Sequence, residues 1–240
     1  MDLTEKIPAT EVKLMLKSKK ALDKGFALSA ALIELFDISG EPKDRPVWYV
    51  DTPDQKLKKW GWSVRFRQNK DELELTYKKR YTESGYKAML DTPLSVAFDR
   101  GFEPEIDLGY SKKTISFSSI HKLTADSQPD MLESRRLALA NCPGLLTHWK
   151  GPNKGFAHLC ESVLYGPVAA LNYEGKLDGL KIKIEVWRLK NYISELSFDI
   201  GSDDAAETKK QVARLLLSSE MLDPVNTLKT DALFDQYAKE

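Results

Sequence analysis

The chain has 240 residues, 42% hydrophobic and 30% charged, which suits a soluble globular fold with a substantial core and excludes a disordered or fibrous chain. Its 36 Lys+Arg balance 36 Asp+Glu, so any anion site must come from local clustering and not from net charge. No apolar run approaches the roughly 20 residues that cross a bilayer; residues 1–12 lack an apolar signal core, and Cys142 and Cys160 are too few for a disulfide framework, so a cytoplasmic protein is expected.

The first expected strand is residues 11–17, EVKLMLK, where Val12, Leu14 and Leu16 alternate with Glu11, Lys13, Met15 and Lys17. Residues 19–36 carry an approximate helical stripe with Ser18 as a candidate cap. Val47–Val50 is a short strand, and DTPD at 51–54 is a turn or helix start in which Asp51 or Thr52 caps and Pro53 opens the first turn. Two alternating strands follow at 62–67 and 72–80. Their apolar face is Trp62, Val64, Phe66, Leu73, Leu75 and Tyr77; their polar face holds Ser63, Arg65, Arg67, Glu72, Glu74, Thr76, Lys78 and Arg80.

Thr92-Pro93 opens a short helix ending near Gly101, and 105–120 reads as extended. Pro129 starts a helical run stopped by Cys142-Pro143-Gly144, in which Ser134, Arg135 and Arg136 form a solvated face. A further helix covers about 155–165, with Cys160 as core packing, and ends at Gly166-Pro167. Strands at 180–189 and 192–200 precede a helix capped by Ser202 or Asp203 and running through Ser218, then a short helix over 228–238. His121, His148 and His158 have no spacing that suggests a metal pair.

Residues 1–240 therefore read as one α+β domain with C-terminal helices from about 203. Each main strand is charged on one face and apolar on the other. A closed barrel with helices packed outside satisfies both faces, because the helices cover the apolar side and the charges line the interior. Such an interior would hold the cations Lys13, Lys17, Arg65, Arg67, Lys78, Arg80, Lys181 and Lys183. It would also hold the carboxylates Glu11, Glu185, Glu195 and Asp199, with Glu72 and Glu74 as cross-strand ion-pair partners. Enclosed cations require an anion. Arginine forks and compact lysine charge suit phosphate oxygens, and clustered carboxylates suit a hard divalent ion, magnesium or manganese.

The segment YVDTPDQKLKKWGWSVRFR, followed by ELTYKKR, resembles the core signature of the CYTH superfamily, the triphosphate tunnel metalloenzymes. The matching residues are Tyr49, Asp51, Thr52 and Pro53, then Gly61 with Arg65 and Arg67, then Thr76 with Lys78. The resemblance spans about residues 8–220 and implies an eight-stranded antiparallel tunnel that takes triphosphate or nucleotide substrates with Mg2+ or Mn2+. It implies phosphate binding by Arg65, Arg67 and Lys78 and metal binding by Glu11 and Glu195. The strand faces themselves add Lys13, Lys17, Arg80 and Lys183 as further phosphate-binding residues and Asp199 as a further metal ligand, and Glu185 or Glu195, with Lys78, is expected to be catalytic. The chain departs from the pattern at Lys13, where the family has its second N-terminal glutamate, at Met15, where it has a lysine, and at Ser197, where the late E-x-E has its second glutamate.

The expected function is metal-dependent cleavage of a phosphoanhydride in a small triphosphate compound. The alternatives are a non-catalytic polyphosphate or nucleotide binder and a repurposed tunnel enzyme that releases diphosphate, with Trp187 as an aromatic surface for an organic group. A small phosphorylated partner is expected, a membrane or nucleic-acid partner is not, and the oligomeric state stays open.

Overall fold

The computed structural model describes residues 9–81, 101–124, 128–201, 204–225 and 228–237. In chain order the elements are β1 (Ala9–Leu16), α1 (Ser18–Ala21), α2 (Ala30–Leu35), β2 (Lys43–Asp44), β3 (Val47–Asp51), α3 (Lys56–Lys59), β4 (Trp62–Asn69) and β5 (Glu72–Tyr81). They continue with β6 (Glu103–Leu108), β7 (Lys113–Thr124), α4 (Met131–Ala140), α5 (Gly144–Thr147), α6 (Lys154–Cys160) and β8 (Val163–Val168). The last are β9 (Ala170–Leu177), β10 (Leu180–Trp187), β11 (Ile193–Ile200), α7 (Ala205–Ser218) and α8 (Lys229–Tyr237). The expected helix at 92–101 and the caps Ser202 and Asp203 lie outside the described residues.

Two compact units interleave along the chain: residues 1–44, 105–114 and 169–232 form the first, and 45–104, 115–168 and 233–240 the second. In the first, the strand order is β2-β9-β10-β11-β1-β6, antiparallel except that β1 and β6 run parallel. Val12, Leu14, Ile182, Ile184, Val186, Leu196 and Phe198 project from one face of this sheet into a shared core. Val212, Ala213 and Leu216, one face of α7, fill that core together with Leu32 and Phe36, so a helix removes the apolar face from water as the alternation requires.

The second unit has the antiparallel order β7-β5-β4-β3-β8. Trp62, Val64, Phe66, Leu73, Leu75 and Tyr77 pack under Ala138, Leu146 and Leu159 of α4, α5 and α6. Two polar tips are satisfied inside this core: Trp48 Nε1 donates to Ser134 Oγ at 3.1 Å, and Tyr77 OH donates to the Ala138 carbonyl at 2.5 Å.

The fold is α+β with a large mixed sheet, but the expected closed eight-stranded antiparallel barrel is not what forms. Eleven strands are present among the described residues, and the ladder begins at β2 and stops at β8 without closing. Both end strands are poor templates for another neighbour: β2 is two exposed residues, and Pro167 in β8 has no N–H to donate.

Local departures have local causes. The stripe over 19–36 breaks into α1 and α2 because the Asp23 carboxylate accepts from the N–H groups of Gly25 and Ala27, closing a tight turn. Ser18 does not cap; its hydroxyl donates to the Tyr192 carbonyl. The stretch 155–165 stops at Cys160, and Gly166-Pro167 sits in a strand instead of ending a helix. Cys160 is exposed and Ser134 buried, the reverse of their expected settings. No strand is expected at β2, β8 or β9, and β8 begins inside the stretch expected as helix; 180–189 and 192–200 form β10 and β11 as read. Among the described residues, no helix is long and apolar enough to cross a membrane.

Candidate phosphate and carboxylate sites

The turn before β4 explains why its side chains stand where they do. Asp51, 1% exposed, accepts from the backbone N–H of Thr52 at 2.7 Å and of Leu57 and Lys58 at 2.9 Å, while Thr52 Oγ1 accepts from Lys56 N–H. The pair thus caps α3 as the sequence suggests, although Pro53 precedes the helix instead of opening it. Burial raises the Asp51 pKa despite these hydrogen bonds. At Gly61, φ is +76° and an added Cβ would meet the Arg80 carbonyl oxygen at 2.8 Å, so glycine is required there on two counts.

β4 and β5 pair so that Ser63 faces Lys78, Arg65 faces Thr76 and Arg67 faces Glu74. On the far side of β5, Lys78 faces Ser118 and Arg80 faces Ser116 of β7. Arg65, Arg67, Lys78 and Arg80 therefore share the sheet face opposite the apolar core. Arg65 donates to Glu74 Oε1 at 2.9 Å and to Thr76 Oγ1 at 3.2 Å, and Arg80 donates to Ser63 Oγ at 3.2 Å. Burial pushes the Glu74 pKa up, but Arg65 and Arg67 outweigh it and leave the carboxyl below its ordinary range. Glu72 pairs with Lys122 at 3.2 Å, so both glutamates act as cross-strand partners.

The first unit carries a second polar face. Along β10–β11–β1–β6, Glu185 faces Glu195 and Glu195 faces Met15; Lys183 faces Ser197 and Ser197 faces Lys13; Asp199 faces Glu11 and Glu11 faces Asp107. Lys13 Nζ lies 2.7 Å from Glu11 Oε2 and 2.5 Å from Asp107 Oδ1. Burial opposes its charge, yet Glu11, Asp107, Glu195 and Glu105 prevail and hold the pKa above the ordinary lysine value. Lys229 of α8 seats its ammonium between Glu185 and Glu195, 2.7 Å from Glu195 Oε1, with the ring of Trp187 5.4 Å away. Its pKa is likewise raised, burial being outweighed by the two carboxylates.

The sequence-derived residues thus fall into two sets. The second unit gathers Arg65, Arg67, Lys78 and Arg80. The first gathers Glu11, Lys13, Glu185 and Glu195. Lys183 and Asp199 form an exposed ion pair at 3.0 Å, and Lys17 leaves the strand as the exposed residue before α1. Trp187 is 1% exposed beneath Lys229, which leaves little ring surface for an organic group. Three participants had no expectation: Glu105, Asp107 and Lys229. Alternating acids at 103, 105 and 107 were a readable signal for the first two. Nothing local marks Lys229, which reaches its partners from 34 residues beyond Glu195 in the chain.

The signature resemblance leads one to expect a divalent ion. Ligand oxygens of Glu11, Glu105 and Asp107 lie within 4.8 Å of one another, close enough to hold a metal, whose identity they do not specify. Two of these three carboxylates, however, already hold the Lys13 ammonium. A divalent ion needs several such oxygens in its own shell at once, so on this face it would compete with a tethered cation for Glu11 and Asp107.

No protein-family model matches the chain, and no curated protein matches it significantly. Solved structures do. A Hippeastrum protein provisionally named an adenylyl cyclase, and described as having a dominant triphosphatase activity, aligns with TM-score 0.54 at 12% identity over 94% of each chain. A Bacillus halodurans protein, provisionally named an adenylate cyclase, aligns with TM-score 0.57 at 16% identity over 92% of this chain and 94% of its own. At these identities the likeness shows the fold, and the fold is of the CYTH, or triphosphate tunnel, type.

Proposed function

We propose that the chain is a tunnel-fold enzyme that cleaves a phosphoanhydride in a small triphosphate-containing compound, with residues 1–240 acting as one functional domain. The observation that carries this reading is the set Arg65, Arg67, Lys78 and Arg80 on one face of two paired strands, interleaved with the hydroxyls of Ser63 and Thr76. Fixed guanidinium forks and an ammonium at matched spacing can take several oxygens of one polyphosphate and neutralise the charge that develops on transfer. Lys78 is the residue assigned to the reacting phosphoryl group. Glu185 and Glu195, expected to orient water, hold Lys229 instead and position its ammonium. The triphosphatase activity of the Hippeastrum protein supports the reaction type.

The test is phosphate release from tripolyphosphate, nucleoside triphosphates and thiamine triphosphate, with and without Mg2+ or Mn2+. Activity absent from the Arg65→Ala, Lys78→Ala double variant is expected; activity no greater than that of the double variant on every substrate sinks the reading. A second reading, a binder that leaves its ligand intact, is favoured by Lys13 and Lys229 occupying the carboxylates. Calorimetric uptake of tripolyphosphate that is then recovered uncut would select it.

A further inference from the structure

The carboxylates of the first unit come in two close groups, and each has an ammonium seated in it. Lys13 bridges Glu11 and Asp107, two members of the triad completed by Glu105. Lys229 bridges Glu185 and Glu195, which are 9% exposed and face each other across β10 and β11. We propose that Lys13 and Lys229 are the resident cations of this face and take the place of the divalent ion that the fold implies. The proposal bears on the same functional reading for its anion, but its cations are argued from this face alone.

Charge alone does not decide the matter, because carboxylates outnumber the two ammoniums and would still attract a divalent ion. Geometry does. A metal needs several oxygens in its own coordination shell at once. In the triad, two oxygens are committed to Lys13, whose tether to β1 fixes its ammonium against them. In the Glu185–Glu195 pair, both are committed to Lys229. The two lysines come from different parts of the chain, a strand and the C-terminal helix, and reach different carboxylates. Such a tethered cation pays no translational cost on each binding event.

Met15 and Ser197 agree with this arrangement. They stand beside Glu195 and opposite Lys13 on the same face and add no ligand oxygen of carboxylate strength. The face therefore has what an ammonium needs, paired acceptors at hydrogen-bond distance, and a metal entering it would have to share Glu11, Asp107, Glu185 and Glu195 with Lys13 and Lys229.

The test is a Mn2+ titration of the full chain followed by electron paramagnetic resonance of the free ion. The wild-type chain is expected to leave the Mn2+ signal unattenuated at equimolar micromolar concentrations. Lys13→Gln and Lys229→Gln, each checked for folding by circular dichroism, are each expected to bind Mn2+ about ten-fold or more tightly, since a nearby like charge is gone. Micromolar Mn2+ binding by the wild type overturns the proposal whether or not the variants fold, and so do folded variants that bind no better than it. Tripolyphosphate calorimetry in EDTA separates this from the functional reading. Binding in EDTA is expected; binding that appears only with Mg2+ overturns the resident-cation proposal. Binding under neither condition overturns the functional reading, and the Mn2+ titration still decides the cations.

Discussion

Glu185 and Glu195 stand directly opposite each other on β10 and β11, and the Lys229 ammonium contacts both. Two buried carboxylates in register would otherwise repel, and each would carry an uncompensated charge. Lys229→Met is therefore expected to cost about 3 kcal/mol near neutral pH, the range for breaking a buried pair. Urea denaturation of both proteins at pH 7 measures it, and a loss of less than about 0.5 kcal/mol, the range of a surface substitution, would show that the ammonium does not offset the repulsion.

Lys79 supplies a pH signature from the second unit. It points to the apolar side of β5, 5% exposed, donating to the Trp60 and Arg80 carbonyls beside the rings of Tyr81 and Trp149. Burial, with a smaller contribution from Lys150, lowers its pKa to about 8. A lysine whose folded pKa lies below its unfolded value favours the unfolded state when charged. Stability should therefore rise between pH 8 and the unfolded lysine pKa of about 10.4, by at most about 3 kcal/mol. Lys79→Met should lack that rise. Subtracting denaturation free energies of the two proteins across this window isolates the effect from other titrating groups.

The cationic half of the site was legible in the sequence because its signal is local. Arg65, Arg67, Lys78 and Arg80 sit on two strands joined by a two-residue turn, so period-two alternation alone puts them on one face. The carboxylate half depends on β1, β6, β10, β11 and α8, brought together from across the chain, and alternation cannot show which strands become neighbours. That is why a reading of Glu11 with Glu195 and Asp199 leaves out Glu105 and Asp107, whose ligand oxygens lie within 4.8 Å of one another and of that of Glu11, even though Asp199 does face Glu11 across the ladder. The barrel expectation misjudged closure for the same reason. Facing preferences were correct strand by strand, but pairing at the ends was set by β2 and β8, which carried no readable pattern.

Asp51 offers a test of the turn that positions β4. Asp51→Ala removes an acceptor shared by three backbone N–H groups, in a position that is 1% exposed. Unpaired buried donors cost about 1–3 kcal/mol, and a loss in that range is expected. Asp51→Asn keeps one carbonyl oxygen and should recover part of it. Since burial already raises the Asp51 pKa, the neutral amide loses less than an exposed cap would. Thermal unfolding of both variants orders them, and equal losses would argue against hydrogen bonding as the origin.

Glu74 sets how much of the Arg65 charge is available to an anion. The pair is 2.9 Å apart with side chains about a quarter exposed, and Arg65 and Arg67 together hold the Glu74 pKa below its ordinary value. A carboxyl with a depressed folded pKa contributes stability above its unfolded pKa and loses it as pH falls through the folded one. Glu74→Gln should therefore lower stability by about 1 kcal/mol or less at pH 7, after solvent screening, and by less still at acid pH. Its effect on binding has the opposite sign. Removing a negative charge beside Arg65 should tighten tripolyphosphate several-fold, whereas Arg65→Ala should weaken it by about ten-fold or more. Calorimetry on the two variants reads both effects. If Glu74→Gln weakened binding as much as Arg65→Ala does, Glu74 would be holding the guanidinium in its working orientation, and the ion pair would be part of the phosphate grip instead of its competitor.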